Sequence, residues 1–123
     1  MARFKGSLGR TFIIRRPMDD VVATMTDPVV FHRFISGVEE FEPLQDGQYR
    51  FRLTEKREKG VRFQGRYIVR YELDGPQAMR WYSVGDSTSD SNMSIEGLVR
   101  FAAEGDVTGV TYEETIVCDM EVN

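Results

Sequence analysis

Residues 12–38 read FIIRRPMDDVVATMTDPVVFHRFISGV, and this stretch decides the fold class. Its apolar start closes a first strand, which we expect to run from about Ser7 to Arg16. Pro17 suits the first position of a helix, and the two aspartates that follow favour its first turn. Apolar residues then recur at the spacing of one helical stripe, at Met18, Val21, Val22 and Met25. A Thr-Asp-Pro break and a second short helix follow, and Gly37 ends that helix.

Every later segment has the two-residue period of a β-strand. The clearest is VRFQGRYIVRYEL, residues 61–73, in which apolar and polar residues alternate. Further strands are predicted in VEEFEPL, YRFRLTEKR, AMRWYSV and MSIEGLVRFAAEG and at the end of the chain, with turns between them. The order is one strand, two helices and about six strands in a meander. This order predicts an α+β fold with a strongly bent antiparallel sheet of about seven strands.

The last predicted strand carries a carboxylate in its apolar row. The chain ends GVTYEETIVCDMEVN, and from Val110 to Val122 the even positions are apolar except for Glu114. This register predicts that Glu114 faces inward between Tyr112 and Ile116. An ionised carboxylate on an apolar face needs a partner or water. We interpret Glu114 as lining a cavity filled by water or ligand; a structural salt bridge or hydrogen bond, and exposure through an uncovered face, are the alternatives.

Length and composition limit the classes of protein to which the chain can belong. A chain of 123 residues is expected to form one domain over residues 1–123, and 41% hydrophobic and 29% charged residues are typical of a soluble globular protein. No apolar run is long enough to span a membrane, and the N-terminus lacks the apolar core of a signal peptide. The single cysteine, Cys118, excludes an internal disulfide. We therefore expect a cytoplasmic protein.

Charge is distributed unevenly along the chain, whose net charge is −4. Residues 1–70 carry 14 Lys and Arg against 9 Asp and Glu, and residues 71–123 carry 2 against 11. A basic half can indicate an anionic partner. We favour the interpretation that early and late strands lie side by side and pair opposite charges across their outer faces.

Three stretches together resemble the START-like helix-grip superfamily. Residues 12–38 are similar to its strand, proline-led helix, aspartate break and second helix. GRYIVRYELDGPQAMRW, residues 65–81, and GLVRFAAEGDVTGVTYEET, residues 97–115, are similar to its glycine-bearing strands and its final strand. The superfamily includes polyketide cyclases, pollen-allergen-like proteins and a group associated with carbon monoxide dehydrogenase.

The resemblance implies a seven-stranded antiparallel sheet that grips a long C-terminal helix, with an apolar ligand cavity between them. This sequence departs from that pattern, because no helical segment follows Val122 and Asn123. Truncation or a covering partner chain would account for the difference. Since a large apolar sheet face is unfavourable on a soluble monomer, we expect a homo-oligomer formed through the uncovered face or the last strand.

We expect the cavity on the concave sheet face to bind a small, largely apolar molecule such as a lipid, isoprenoid, quinone or aromatic polyketide. The residues expected to contact it share inward strand positions: Phe51, Phe63, Tyr67, Val69, Tyr71, Trp81, Val99, Phe101, Tyr112, Glu114 and Ile116. One alternative is a polyketide cyclase or dehydratase, in which Glu114 acts as acid or base and Tyr67 or Tyr71 donates to a developing enolate. The other is an assembly factor for a metalloenzyme.

The sequence contains no complete motif for histidine catalysis, calcium binding or nucleic-acid binding. His32, the only histidine, is expected to be solvated on the second helix, with no nucleophile placed to use it. The loop GDSTSDSN, residues 85–92, lacks the glycine and glutamate of a calcium loop. Aromatic and basic residues interleave in residues 49–52 and 62–71, but on opposite faces of each strand, which disfavours a nucleic-acid platform. We therefore expect no metal, no cofactor and no nucleic-acid partner.

Overall fold

The computed structural model describes residues 2–85 and 91–120, with the side chains of residues 2 and 120 excepted. Two short helices lie between the first and second strands: α1 is Met18–Met25, and α2 is Pro28–Phe31, continued by a 3-10 turn at His32–Phe34. Within the described residues there are nine strands: β1 Ala2–Ile14, β2 Val38–Pro43, β3 Gln48–Leu53, β4 Lys56–Glu58, β5 Val61–Phe63, β6 Arg66–Leu73, β7 Ala78–Ser83, β8 Met93–Glu104 and β9 Val107–Met120.

Seven of these strands form one antiparallel sheet in the order β1-β9-β8-β7-β6-β3-β2, and β4 and β5 form a separate hairpin. The first strand therefore lies beside the last, while β2 forms the opposite edge. This architecture confirms the predicted α+β fold with its seven-stranded sheet and two intervening helices. β1 begins earlier than expected, at Ala2 instead of near Ser7.

The helices begin and end where local chemistry dictates. Pro17 is the N-cap of α1, whereas the sequence predicts it as the first helical residue, so the helix begins one residue later, at Met18. Two aspartates occupy the first turn. The Asp27 side chain accepts a 3.0 Å hydrogen bond from the Val29 N–H, which caps α2 and explains the break between the helices. Gly37 has φ of 76°, a conformation that favours glycine, and it turns the chain into β2.

Two of the predicted long strands are interrupted at matching positions. The segment expected to run through residues 49–57 ends at Leu53 and resumes as β4, and the segment expected at 61–73 is divided into β5 and β6. The side chain of Asn92 lies at this second break, where it accepts from the Arg66 N–H at 2.8 Å and donates to the Gln64 carbonyl at 2.9 Å. A distant loop thus takes the hydrogen bonds that a continuous ladder would use.

The core lies on the inner face of the sheet, defined as the face that packs against α1 and α2. Met79 and Trp81 both lie there, as the alternation in β7 predicts, and are 1% and 3% exposed. Aromatic rings dominate the layer next to the helices, where Phe31 of α2 contacts Trp81 at a centroid distance of 5.4 Å. The other buried members of the cluster are Val21, Met25, Phe51, Tyr67, Val69, Tyr71, Ile95, Val99, Phe101 and Val110.

Opposite charges pair across neighbouring strands on the outer face. Arg3 of β1 contacts Asp119 of β9 at 2.9 Å, as expected if early and late strands are adjacent. Other pairs join strands of the same half of the chain, such as Arg50 with Glu42 at 2.9 Å. These side chains are largely solvated, so each pair contributes little to stability.

The sheet order also decides which strands have an open edge. β9 pairs with β1 on one side and β8 on the other, so the last strand has no free edge for self-association along its paired length. Edge-to-edge pairing of the last strand is therefore not available along that length, while an oligomer formed through the sheet face stays a prediction. Among the described residues, the open edges of the seven-stranded sheet are β1 and β2.

Candidate ligand cavity

A cavity of about 420 Å³ opens on the inner face between the edge strand β1 and the α1–β2 segment. Its volume is within the range of small-molecule sites in proteins. Most of its lining is apolar and comes from β1, β8, β9 and the helical segment: Leu8, Arg10, Phe12, Met25, Phe31, Phe34, Ile35, Ser36, Leu53, Tyr67, Met93, Ile95, Val99, Tyr112, Glu114 and Ile116.

Among the described residues, Glu114 is the single carboxylate in that lining, and it has the inward orientation that the register predicts. It is half-buried in β9, between Leu8 of β1 and Gly97 of β8. The hydroxyl of Tyr112, two residues earlier on the same face, donates a hydrogen bond to the Glu114 carboxylate. Burial raises the pKa of Glu114, although this hydrogen bond acts in the opposite direction.

The tyrosines around Glu114 are held in their neutral form. Burial raises the pKa of Tyr67 and of Tyr71, and the nearby Glu114 charge adds to the effect. Burial raises the pKa of Tyr112 as well, with the hydrogen bond to Glu114 as the second cause. All three hydroxyls therefore remain donors at physiological pH. Tyr67 and Tyr112 line the cavity itself, but the Tyr112 hydroxyl proton is already donated to Glu114, so Tyr112 can meet a ligand only as an acceptor or as part of that pair.

Arg10 is the most important cavity residue that was not predicted from the sequence. It lies on β1 directly opposite Tyr112 and is exposed at the cavity wall between Leu8 and Phe12. Within residues 2–85 and 91–120, Arg10 is the sole cation of the lining and has no hydrogen-bond or ion-pair partner. Its charge is therefore available to a bound molecule.

The structure divides the eleven predicted ligand contacts into three groups. Five line the cavity: Tyr67, Val99, Tyr112, Glu114 and Ile116. Five are packed in the core behind it: Phe51, Val69, Tyr71, Trp81 and Phe101. Phe63 lies on the β4–β5 hairpin, outside the seven-stranded sheet, because the break at Gln64 and Gly65 removes it from the face of β6.

The core group still contacts the cavity wall through ring packing. Phe51 is stacked on Tyr67 with centroids 5.0 Å apart, and Trp81 lies 5.5 Å from Tyr112. A ligand that displaces Tyr67 or Tyr112 would therefore disturb these buried rings. None of the other lining residues was among the predicted ligand contacts. Leu53 comes from β3, Met93 and Ile95 come from β8, and the rest come from β1 and the helical segment.

His32 and Cys118, the only histidine and the only cysteine of the sequence, lie in different surroundings. His32 is half-buried and stacked on Phe41 with centroids 3.7 Å apart, and its Nδ1 lies 3.3 Å from the Pro28 carbonyl. The expectation of a solvated histidine is therefore wrong, because β2 places an aromatic ring against it. Cys118 is half-buried, and this burial raises the pKa of its thiol, which disfavours the reactive thiolate.

Within the described ranges, no group of His, Cys, Asp and Glu side chains could hold a metal ion. Most of the polar loop considered as a calcium site, residues 86–90, lies outside the described residues, as do residues 121–123 at the end of the last strand. No described helix has the length and apolar character that crossing a bilayer requires.

No family model matches the chain, and no curated protein matches it. Solved structures do resemble it. A START superfamily protein from Mycobacterium smegmatis has a TM-score of 0.68 at 10% identity, covering 95% of this chain and 80% of that one. A conserved protein from Geobacillus kaustophilus has a TM-score of 0.66 at 16% identity, covering 96% and 75%.

Norcoclaurine synthase from Thalictrum flavum, in complex with dopamine and hydroxybenzaldehyde, has a TM-score of 0.63 at 11% identity, covering 94% of this chain and 71% of that one. Identities this low carry information on the fold alone. The sheet order, the two helices after the first strand and these likenesses agree: the chain has the START-like fold.

Proposed function

We propose that this protein binds a small, largely apolar molecule, such as a lipid, isoprenoid, quinone or aromatic polyketide, in the cavity beside β1. The observation that carries the proposal is an apolar lining that surrounds one hydrogen-bonded carboxylate. Apolar walls provide most of the binding free energy, while a few polar groups orient the ligand.

The polar groups favour a ligand with at least one hydroxyl, carbonyl or amine group. The pair formed by Tyr112 and Glu114 can donate or accept, depending on the protonation of Glu114. Arg10 adds a positive charge at the wall. The likeness in fold to a START superfamily protein, and to a synthase solved with two small aromatic molecules, supports ligand binding as the general role.

An enzymatic role of the polyketide cyclase or dehydratase type is the second candidate, and one observation favours it. A carboxyl group with a raised pKa in a cavity is suited to general acid–base catalysis, because it exchanges protons closer to neutral pH. Tyr67 could donate to a developing enolate oxygen, since it lines the same cavity. Glu114→Gln separates the two roles: loss of turnover with retained binding favours the enzyme, and weaker binding without any turnover favours the carrier.

Native mass spectrometry of the purified protein tests the binding proposal. We expect a co-purifying small molecule, or mass shifts when fatty acids, quinones or flavonoid-like aromatics are added. Ile116→Trp fills the cavity from β9 and should abolish these adducts. Val117→Trp is the matched control, because Val117 is the next residue on the opposite face and should retain them. Absence of adducts across the panel, or equal adducts in both variants, would overturn the proposal.

A further inference from the structure

Strand β1 forms an open edge that carries exposed apolar side chains at regular intervals. It pairs with β9 on one side, and no strand of the described residues lies on its other side. Phe4, Leu8 and Phe12 project from its inner face at four-residue spacing and are 50%, 45% and 40% exposed. The open edge extends through all 13 residues of β1, which is long for a strand edge that has no partner.

The devices that usually protect a sheet edge are largely missing from β1. Prolines, bulges and very short strands prevent edge-to-edge pairing in natural proteins. β1 contains no proline, and its register with β9 continues without a shift from Ala2 opposite Met120 to Ile14 opposite Thr108. Cations are the one protective feature, and their positions select the register that a second strand can adopt.

We propose that two copies of this chain associate through β1, antiparallel, with Leu8 opposite Leu8 of the partner. Antiparallel pairing about a two-fold axis normal to the sheet keeps the inner faces of both copies on the same side. Leu8 lies near the middle of β1, so this register uses the whole strand from Ala2 to Ile14. The proposal concerns an interaction surface and does not depend on the ligand.

The sequence of β1 is self-complementary in this register. Phe4 lies opposite the partner's Phe12, and by symmetry Phe12 lies opposite the partner's Phe4, giving two aromatic cross-strand pairs. Arg10 lies opposite Gly6, where a Cβ atom would meet no atom of its own protomer within 4 Å, so the long arginine side chain has space. Lys5 lies opposite Thr11. No cation faces another cation.

Neighbouring registers lose this complementarity. Centring the pair on Ser7 places Phe4 opposite Arg10, and centring it on Gly9 places Leu8 opposite Arg10. Both put the inner-face cation Arg10 against an apolar side chain and remove the aromatic pairs. In the proposed register, the one cation of β1 that faces an apolar side chain is Arg3, opposite Ile13 on the outer face. Sliding one strand by an odd number of residues would pair inner-face side chains of one copy with outer-face side chains of the other. The apolar rows of the two copies would then lie on opposite faces of the joined sheet.

The dimer would join two seven-stranded sheets into one and cover much of the apolar edge. It also affects the cavity, because Leu8 and Phe12 line its β1 wall. In the proposed register, these two side chains gain the partner's Leu8 and Phe4 as neighbours. The cavity wall would thus be supported from outside by the second copy.

Single-cysteine crosslinking tests the register. In a Cys118→Ser background, we compare Ser7→Cys, Leu8→Cys and Gly9→Cys under mild oxidation. Directly opposed residues of an antiparallel pair have Cα separations that a disulfide can span. We expect Leu8→Cys to give a covalent dimer and its two neighbours to remain uncrosslinked. Separately purified Phe4→Cys and Phe12→Cys should crosslink with each other when mixed, which provides a second readout if disulfide geometry at Leu8 is unfavourable.

Sedimentation equilibrium of the native sequence tests the association itself. We expect a reversible dimer at micromolar concentrations. Leu8→Lys, which opposes two lysines at the two-fold axis, and Thr11→Lys, which faces the partner's Lys5, should each weaken it by roughly tenfold or more. Circular dichroism confirms that both variants fold. A clean monomer at high micromolar concentration, a dimer unaffected by both variants, or crosslinking at Ser7→Cys or Gly9→Cys without either expected crosslink would overturn the proposal.

Discussion

The indole ring of Trp81 lies directly against the backbone of Gly97, so closely that a Cβ atom at residue 97 would be 2.3 Å from Cζ2 of the ring. The two residues are opposite each other in β7 and β8. Because Gly97 has no side chain, Trp81 can lie across β8 and reach the rings of Phe31 and Tyr112. A glycine thus permits the aromatic layer that supports the cavity.

Gly97→Ala is expected to lower the free energy of unfolding by about 1–3 kcal/mol, because the added methyl group overlaps a buried ring with little room to move. Chemical denaturation measures this change. Gly9→Ala is the matched control in a strand, since a Cβ there would meet the Tyr112 carbonyl oxygen at an ordinary 3.9 Å. Equal stability of the two variants would show that Trp81 is not held against Gly97.

Stability should depend on pH through Glu114. Since folding raises the pKa of this carboxyl, the folded state binds its proton more tightly than the unfolded chain does. The stabilisation is complete below the ordinary pKa of a glutamate, about 4, and is lost as pH rises through the raised value. We therefore expect Glu114→Gln to become more stable relative to the native sequence between pH 4 and neutrality.

Two variants test the cause of this dependence. Tyr112→Phe removes the hydrogen bond that favours the ionised form, so it should shift the pKa of Glu114 still higher and move the pH window upward. Glu113→Gln removes a charge from the exposed outer face of the same strand and provides the charge-matched control. If the stability difference for Glu114→Gln follows the same pH profile as that for Glu113→Gln, burial of Glu114 is not its cause.

The side chain of Asn92 is expected to maintain the break between β5 and β6. Asn92→Ala removes its hydrogen bonds to the Gln64 carbonyl and the Arg66 N–H, at a cost of about 1–3 kcal/mol in the free energy of unfolding. Asn92→Asp keeps the acceptor and loses the donor, so an intermediate cost is expected. Hydrogen exchange should localise the effect to residues 64–66. A global change without faster exchange there would contradict this role.

Trp81 should report on cavity occupancy although it does not line the cavity. It is 3% exposed and packs against Tyr112, which lines the cavity. An apolar ligand that moves Tyr112 should change Trp81 emission and raise the thermal midpoint in proportion to occupancy. Ile116→Trp cannot be used here, because it adds a second tryptophan. Ile116→Phe narrows the cavity without adding a tryptophan, so it is the suitable control and should reduce the change in Trp81 emission. Unchanged emission with a panel of apolar ligands would argue against small-molecule binding.

Periodicity predicts much of the fold because most strands have one buried and one solvated face. The inward positions of Met79, Trp81 and Glu114 follow from alternation within their own strands, with no need of distant information. The two helices are equally local, since Pro17 and Asp27 mark their starts.

The remaining features depend on residues far apart in sequence. Asn92 interrupts the ladder at Arg66, 26 positions away, and no local pattern in residues 61–73 announces that contact. Arg10 was missed for a similar reason: an arginine on an edge strand reads as solvated until its neighbour Tyr112 and the helical segment complete a cavity around it. The stacking of His32 on Phe41 likewise requires the packing of β2 against the 3-10 turn.

The adjacency of β1 and β9 has a consequence for how the protein is made. Arg3 and Asp119 meet across 116 residues of chain, so β1 cannot be incorporated into the sheet until β9 is available. Closing so large a loop is slow compared with forming hairpins such as β8–β9. During synthesis, therefore, the apolar edge strand emerges first and pairs with its sheet last. Throughout that interval, Phe4, Leu8 and Phe12 are accessible to chaperones or to other nascent chains.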